Sequence, residues 1–171
     1  MQKELSKRKI IRLLGYDYSS AGYYFITMCV KNGHEMLGEI VGHDDSACHP
    51  FVELTEHGII SDKYIKTIES HYANVFVDKY CIMPNHIHII IAVSGGQDGA
   101  PGSSRPTTAL IPRIISAYKK FTNKEFGFDM WQDRYHDIII RNEESYKDIW
   151  RYIDENPIKW RNDRYYVNKE V

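Results

Sequence analysis

Two histidines separated by one isoleucine, His86 and His88, stand in a strongly apolar run of the chain, residues 83–93. Most residues of this run are apolar and many are β-branched, which predicts a buried β-strand. Side chains at positions i and i+2 of a strand point to the same face, so both imidazoles are expected to leave one face together. Such a pair suits a metal site or a general-base pair. It is equally compatible with two histidines that only hydrogen-bond to their neighbours.

A helix near the C-terminal end is predicted to carry a tyrosine and an asparagine on one face. Residues 142–156 form this helix, because Asn142 is a good N-cap and Pro157 disfavours a further helical residue before it. The stripe with the spacing i, i+3, i+4 and i+7 is expected to face inward; it consists of Ile149, Tyr152, Ile153 and Asn156. Tyr152 and Asn156 are therefore candidates to face the histidine pair. Alternatively, Tyr152 is one more core aromatic in a chain with 13 tyrosines.

The remaining hydrophobic pattern predicts the order β-α-β-β-α-β-α. The predicted strands are residues 22–30, 74–83, the histidine run and 134–141, and the predicted helices are 54–71, 110–126 and 142–156. Residues 35–41 are a short extension or one arm of a hairpin. This order predicts an α+β fold of the ferredoxin-like, split β-α-β kind with an additional C-terminal helix.

Together these segments resemble the IS200-like single-tyrosine HUH transposases, above all the group associated with repetitive extragenic palindromes (REP). The run Met83-Pro84-Asn85-His86-Ile87-His88 resembles the HUH strand of that family, where U is a bulky apolar residue. The similarity extends over roughly residues 22–160. It includes Gly22-Tyr23-Tyr24-Phe25-Ile26-Thr27, Trp131-Gln132, Tyr135-His136-Asp137, Ile139-Ile140-Arg141-Asn142-Glu143-Glu144, Tyr152-Ile153 and Asn156-Pro157.

The resemblance implies an antiparallel sheet with the HUH histidines on a central strand. It also implies a metal-dependent endonuclease and strand transferase, a transposase, that acts on single-stranded DNA bearing a hairpin. Tyr152 is then the nucleophile that forms a 5′-phosphotyrosine. His86, His88 and Asn156 are then the ligands of one divalent ion, Mg²⁺ or Mn²⁺, and the imidazoles favour Mn²⁺. Better-known relatives carry glutamine where this chain has Asn156, whose amide oxygen offers equivalent chemistry on a shorter arm.

Five basic residues are predicted to contact DNA. The net charge of −1 gives no overall argument for nucleic acid, so any DNA-binding side must be local. The segment 110–126 is locally basic, and residues 134 and 141 are the two ends of the last predicted strand. The predicted contacts are Arg113, Lys119, Lys120, Arg134 and Arg141. Each of them is also compatible with an ordinary solvated surface.

Composition and length predict one globular domain over residues 1–171. Within it, 1–21 is a basic N-terminal arm, 94–108 a flexible loop rich in Gly, Pro and Ser, and 158–171 a C-terminal tail. The apolar runs are too short to span a membrane. Three cysteines without a CxxC pattern favour a reducing cytoplasm. The sequence leaves open whether the protein is a monomer or a homodimer.

Three alternatives remain at this level. Tyr118 is a reserve nucleophile on the helix 110–126, near basic residues. A catalytically retired protein of the same fold would bind hairpin DNA without cutting it. A structural metal protein would use His86 and His88 to hold zinc. The presence of Tyr152 four residues before Asn156 favours the enzyme over the two other classes.

Overall fold

A four-stranded antiparallel sheet forms the centre of the protein. The computed structural model describes residues 16–42, 49–95 and 109–167. In chain order the elements are β1 (Gly22–Cys29), β2 (Gly38–Val41), β3 (Phe51–Leu54), α1 (Glu56–Lys66), α2 (Ile68–His71), β4 (Val75–Met83), β5 (His86–Val93), α3 (Leu110–Phe126), β6 (His136–Ile140) and α4 (Glu143–Glu155). Short 3₁₀ turns cover Lys31–Gly33 and Trp160–Asn162.

The strands are arranged in the order β4-β5-β1-β6, and every neighbouring pair is antiparallel. Strand β5, which carries the histidine pair, lies between β4 and β1 and is therefore central. The sheet and the helices between its strands reproduce the split β-α-β order. The predicted fold class, α+β with the histidines on a central strand and a helix after the last strand, is confirmed.

Alternation along β5 divides its side chains between two different environments. Ile87, Ile89 and Ile91 point to the face covered by α1 and α3, where they join the larger hydrophobic core. Helix α3 presents Ile111 and Ile114 to this core. All of these side chains are buried, which explains why almost every second residue of β5 is isoleucine.

Helix α4 covers the opposite face of the sheet, and this is the face to which His86 and His88 point. A smaller core made of Phe25, Ile90, Ile140 and Ile153 attaches α4 to that face. Asn142 is the N-cap of α4, as predicted: its side chain accepts a hydrogen bond of 2.8 Å from the backbone N–H of Ser145. The helix that carries Tyr152 is thus fixed by a cap at one end and by apolar contacts along its length.

Several element boundaries differ from the prediction. The predicted helix 54–71 begins at Glu56, because Thr55 caps it with its side chain. Residues 51–54 instead form β3, which pairs with β2 in a separate two-stranded hairpin. The same predicted helix is interrupted at Thr67, and the predicted strand 134–141 is shorter, residues 136–140.

Several predicted segments lie wholly or partly outside the described residues. Most of the N-terminal arm 1–21 and of the loop 94–108 belongs to this group, as do residues 168–171 of the tail. Residues 158–167 of the tail are described and pack against the sheet face that α4 covers. Among the helices that the structure describes, none has the length and apolar character required to cross a bilayer.

Gly58 is a point at which the hairpin and α1 meet without room for a side chain. A Cβ atom at this position would lie 1.9 Å from the carbonyl oxygen of Leu37. We therefore expect Gly58→Ala to lower the free energy of unfolding by about 1–3 kcal/mol, as overpacking typically does. Urea denaturation measures this change. Gly95→Ala is the control, because among the described residues its Cβ would have no neighbour closer than 3.8 Å; equal midpoints for both variants would contradict the expectation.

Candidate active site

The two imidazoles lie side by side on β5 and are almost completely buried. His86 is 0% and His88 is 1% exposed, and their Nε2 atoms are 2.9 Å apart. Two neighbouring ligands of an octahedral ion, each at about 2.1 Å from it, are about 3 Å apart. The pair therefore has the spacing that shared binding of one ion requires.

Asn85 determines which nitrogen of His86 carries the proton. The side-chain amide of Asn85 donates to the carbonyl oxygens of Gly33 (3.1 Å) and Tyr165 (2.8 Å). Its Oδ1 is consequently the atom that faces His86 Nδ1, at 2.9 Å, and accepts a hydrogen bond from it. In the neutral ring, the Nε2 of His86 then keeps its lone pair for a ligand. In metal sites, a hydrogen-bond partner at the other ring nitrogen fixes the tautomer of a binding histidine in the same way.

Thr27 is the corresponding partner of His88. Its hydroxyl lies 2.8 Å from His88 Nδ1, on the neighbouring strand β1. A hydroxyl can donate or accept, so it supports either tautomer of the ring. His88 can therefore donate from Nε2 to His86, or direct the Nε2 lone pair to an ion, without losing its partner at Nδ1.

Burial keeps both imidazoles neutral. It lowers the pKa of His86 to about 3, with a further contribution from the positive charge of Arg164. Burial likewise lowers the pKa of His88 well below its usual value. Neutral imidazole is the form that binds metal ions, so the site is prepared for a cation at neutral pH.

Tyr152 reaches the histidine pair from α4, as predicted. Its hydroxyl is 3.2 Å from His88 Nε2, and 37% of the residue is exposed. The hydroxyl donates a hydrogen bond of 2.9 Å to Asp163 Oδ2. Burial, together with the negative charge of Asp163, raises the pKa of the phenol. The phenol is thus close to the histidines and accessible, but it is not activated by its protein neighbours alone.

Asn156 ends α4 beside Tyr152 and leaves one oxygen without a partner. The residue is 1% exposed, and its Nδ2 donates to Asp163 Oδ2 at 3.0 Å. Its Oδ1 is buried and has no hydrogen-bond partner within the described part of the chain. An orphaned buried oxygen is costly, and a cation is one group that satisfies it. The donor set of two imidazole nitrogens and one amide oxygen therefore fits a divalent ion.

The site contains an acidic residue that sequence reasoning missed. Asp163 directly follows the 3₁₀ turn Trp160–Asn162 of the tail. Its carboxylate and the ring nitrogens of His86 and His88 lie within 4.8 Å of one another. The helical periodicity ends at Pro157, so no spacing rule connects Asp163 to Tyr152 or Asn156. In the sequence, Asp163 can be recognised only as an acidic residue that follows the predicted ligand Asn156 by a few positions.

Aromatic and basic residues of the tail complete the surroundings. The ring of Tyr165 lies 4.5 Å from that of His86, measured between centroids, and the ring of Trp160 lies 5.9 Å from it. The guanidinium of Arg164 lies over the ring of Tyr165 and donates to its hydroxyl. The predicted C-terminal tail is therefore a part of this site.

The reserve nucleophile, Tyr118, is on the other side of the sheet. It is buried in the larger core and donates a hydrogen bond of 3.3 Å to the carbonyl oxygen of Ser61. Burial raises the pKa of its phenol. Tyr118 is thus placed away from the histidine pair, in a structural role.

The five predicted DNA contacts do not form one cluster with the histidines. Arg113, Lys119 and Lys120 belong to α3, which packs on the face opposite to the pair. Lys119 donates to the carbonyl oxygens of Gln132 and Arg134. Arg134 and Arg141 are exposed just outside the two ends of β6. Their contact with DNA stays a prediction.

Comparison with known proteins identifies a relative in sequence and a similar solved structure. An uncharacterized protein of Haemophilus influenzae is 32% identical over 176 residues, a match that covers 94% of each chain. A REP-associated tyrosine transposase, solved in complex with a REP hairpin, matches with a TM-score of 0.60 and 20% identity, over 82% of this chain and 68% of that one. No protein-family model matches the chain. The resemblance seen in the sequence is thereby confirmed at the level of the fold.

Because His86 and His88 are buried as neutral imidazoles, we expect the metal-free protein to lose stability toward unfolding in acid. An imidazole of the unfolded chain takes up a proton below about pH 6.5, whereas that of His86 stays neutral down to about pH 3 in the folded protein. The unfolded state then binds more protons, so the free energy of unfolding falls as the pH falls from 6.5. The expected loss is about 1.4 kcal/mol per pH unit and per buried histidine.

Urea denaturation at pH 7.5 and 5.5, in the presence of a chelator, measures this loss. His86→Gln should show a smaller difference between the two pH values than the unchanged protein. His71→Gln, at an exposed histidine, is the control and should behave like the unchanged protein. A difference that is the same in all three proteins would show that buried His86 does not cause the loss.

Proposed function

The chain belongs to the same family as the uncharacterized protein of Haemophilus influenzae, and we propose that it is a transposase of the REP-associated tyrosine kind. In this proposal it is a metal-dependent endonuclease and strand transferase for single-stranded DNA that bears a hairpin. It forms a 5′-phosphotyrosine intermediate. The fold shared with the hairpin-bound transposase supports the substrate class, and the site supports the chemistry.

The single observation that carries the proposal is the position of Tyr152. A phenol that is partly exposed and 3.2 Å from a buried, neutral histidine pair is open to a large substrate on one side. A tyrosine that only filled the core would not need this exposure. A structural zinc site would not need a reactive group at its edge.

Tyr152 would act as the nucleophile toward a phosphodiester. Its Oη forms a bond to phosphorus while the bond from phosphorus to the 3′ oxygen breaks, which leaves a 5′-phosphotyrosine and a free 3′-hydroxyl. The phenolic proton passes to Asp163 Oδ2, which already accepts its hydrogen bond, and the leaving 3′ oxygen takes up a proton from solvent. Since the covalent link preserves the phosphodiester energy, another 3′-hydroxyl can attack it and rejoin the strand without ATP.

His86, His88 and Asn156 would hold one divalent ion, Mg²⁺ or Mn²⁺. When bound, such an ion polarises a phosphoryl oxygen and offsets the charge that develops there. The three residues offer neutral ligands, so they leave the charge of the ion to act on the phosphate. Asn85 and Thr27 keep the imidazoles oriented toward the ion by occupying their Nδ1 atoms. Imidazole ligands favour Mn²⁺ over Mg²⁺.

The described residues of one chain include every proposed member of the site. Helix α4 packs on the sheet of its own chain and brings Tyr152 to the histidines without a second copy. We therefore propose that a monomer is sufficient for cleavage, even if a homodimer forms. The cytoplasm, where such DNA is present, is the proposed location. Arg113, Lys119, Lys120, Arg134 and Arg141 are proposed phosphate contacts, and their contribution should weaken with added salt.

Covalent trapping tests the proposed nucleophile. The protein is incubated with Mn²⁺ and single-stranded hairpin oligonucleotides from the flanks of its own gene, and then separated on a denaturing gel. We expect a protein–DNA adduct that Tyr152→Phe abolishes, because phenylalanine has no oxygen to attack phosphorus. A chelator should abolish it as well.

Tyr146→Phe is a matched control, since Tyr146 lies on the same helix and hydrogen-bonds to Asp78. This variant should keep the adduct. An adduct that survives Tyr152→Phe but is lost in Tyr118→Phe would identify Tyr118, on the sheet face opposite the histidines, as the nucleophile. This result would contradict the role proposed for Tyr152. Tight hairpin binding with no adduct in any protein would instead identify a retired DNA-binding protein of the same fold.

A further inference from the structure

Asp163 accepts hydrogen bonds from two other residues of the site and from the backbone of the tail. Its Oδ2 accepts hydrogen bonds from Tyr152 and Asn156, at 2.9 and 3.0 Å, and its Oδ1 accepts from the backbone N–H of Tyr165 at 2.7 Å. Those bonds hold the carboxylate between α4 and the end of the tail. The amide of Asn156 is oriented by the same contact, which leaves Asn156 Oδ1 as a buried oxygen without a hydrogen-bond partner among the described residues.

The carboxylate has capacity for one further partner. An ionised carboxylate offers about four acceptor positions, and three are occupied by the hydrogen bonds from Tyr152, Asn156 and Tyr165. One acceptor position therefore remains, and the carboxylate itself lies within 4.8 Å of the ring nitrogens of His86 and His88. A cation between these three side chains would use it.

We propose that Asp163 is a ligand of the divalent ion, together with His86 and His88, and that the C-terminal segment therefore completes the metal site. This inference rests on the proposed function only in requiring that the site binds a divalent ion. A ligand set of imidazoles and a neutral amide leaves the ion with its full charge. Asp163 neutralises one unit of that charge and adds a hard oxygen ligand, which favours Mn²⁺ and Mg²⁺ over softer ions.

The position of Asp163 also connects the ion to the nucleophile. The same carboxylate binds the ion and accepts the hydrogen bond of Tyr152, so occupation of the site and the orientation of the phenol depend on each other. Asp163 thus contributes to metal selectivity and to the placement of Tyr152 at once.

Titration calorimetry of the full chain tests the proposal by measuring its affinity for MnCl₂ and, separately, for ZnCl₂. All proteins are compared at the same pH. Asp163→Ala and the isosteric Asp163→Asn should weaken Mn²⁺ binding by about tenfold or more, as loss of a metal-site partner does. Zn²⁺, which imidazoles bind well, should lose less affinity. Asp163→Asn can still accept the hydrogen bond from Tyr165, so it remains informative if the alanine variant does not fold.

Asp148→Asn is the matched control, because this exposed acid of α4 pairs only loosely with Arg151, at 3.7 Å. It should bind both ions like the unchanged protein. Equal Mn²⁺ affinity in Asp163→Asn and the unchanged protein, while His86→Ala loses binding, would overturn the role of Asp163 and leave the proposed function intact. An equal loss for both ions would indicate a purely structural role and would also overturn it. If the unchanged protein binds neither ion, the metal-dependent function fails as well.

Discussion

The site depends on the burial of two neutral imidazoles on the central strand β5. Removing polar rings from water is costly unless each nitrogen has a partner. Asn85 and Thr27 supply partners at Nδ1, and the two Nε2 atoms face each other at 2.9 Å. Because these requirements fix both rings, the remaining nitrogens point to a single place. All other members of the site are arranged around that place.

Helix α4 is attached to the sheet by a small apolar core, and its last turn carries the polar side chains that reach the site. Phe25, Ile90 and Ile153 provide the contact, while Tyr152 and Asn156 lie at the edge of this core. This division explains how a partly exposed phenol can be held rigidly. The helix supplies the position, and the tail supplies the polar partner that the phenol and the amide share.

Much of the fold was predictable from the sequence, because its strongest elements have clear hydrophobic periods. The run around His86 and the stripe of α4 are examples: in each, the period alone identifies the face that is buried. The hairpin of β2 and β3 was not fully predictable. Its second strand has only four residues and no clear hydrophobic period, and the sequence pattern places its last residue, Leu54, in the helix that Thr55 caps immediately after it.

The sequence by itself determined the central strand, the shared direction of His86 and His88, and the face of α4 that carries Tyr152 and Asn156. Each of these follows from local periodicity, which is a property of neighbouring residues. Only the tertiary structure decided that Asp163 joins them. It also decided that the helix carrying Arg113, Lys119 and Lys120 packs on the sheet face opposite the histidines. The chain turns after Pro157, and no periodic rule continues through a turn. Which side chains meet there depends on how the tail packs against the sheet.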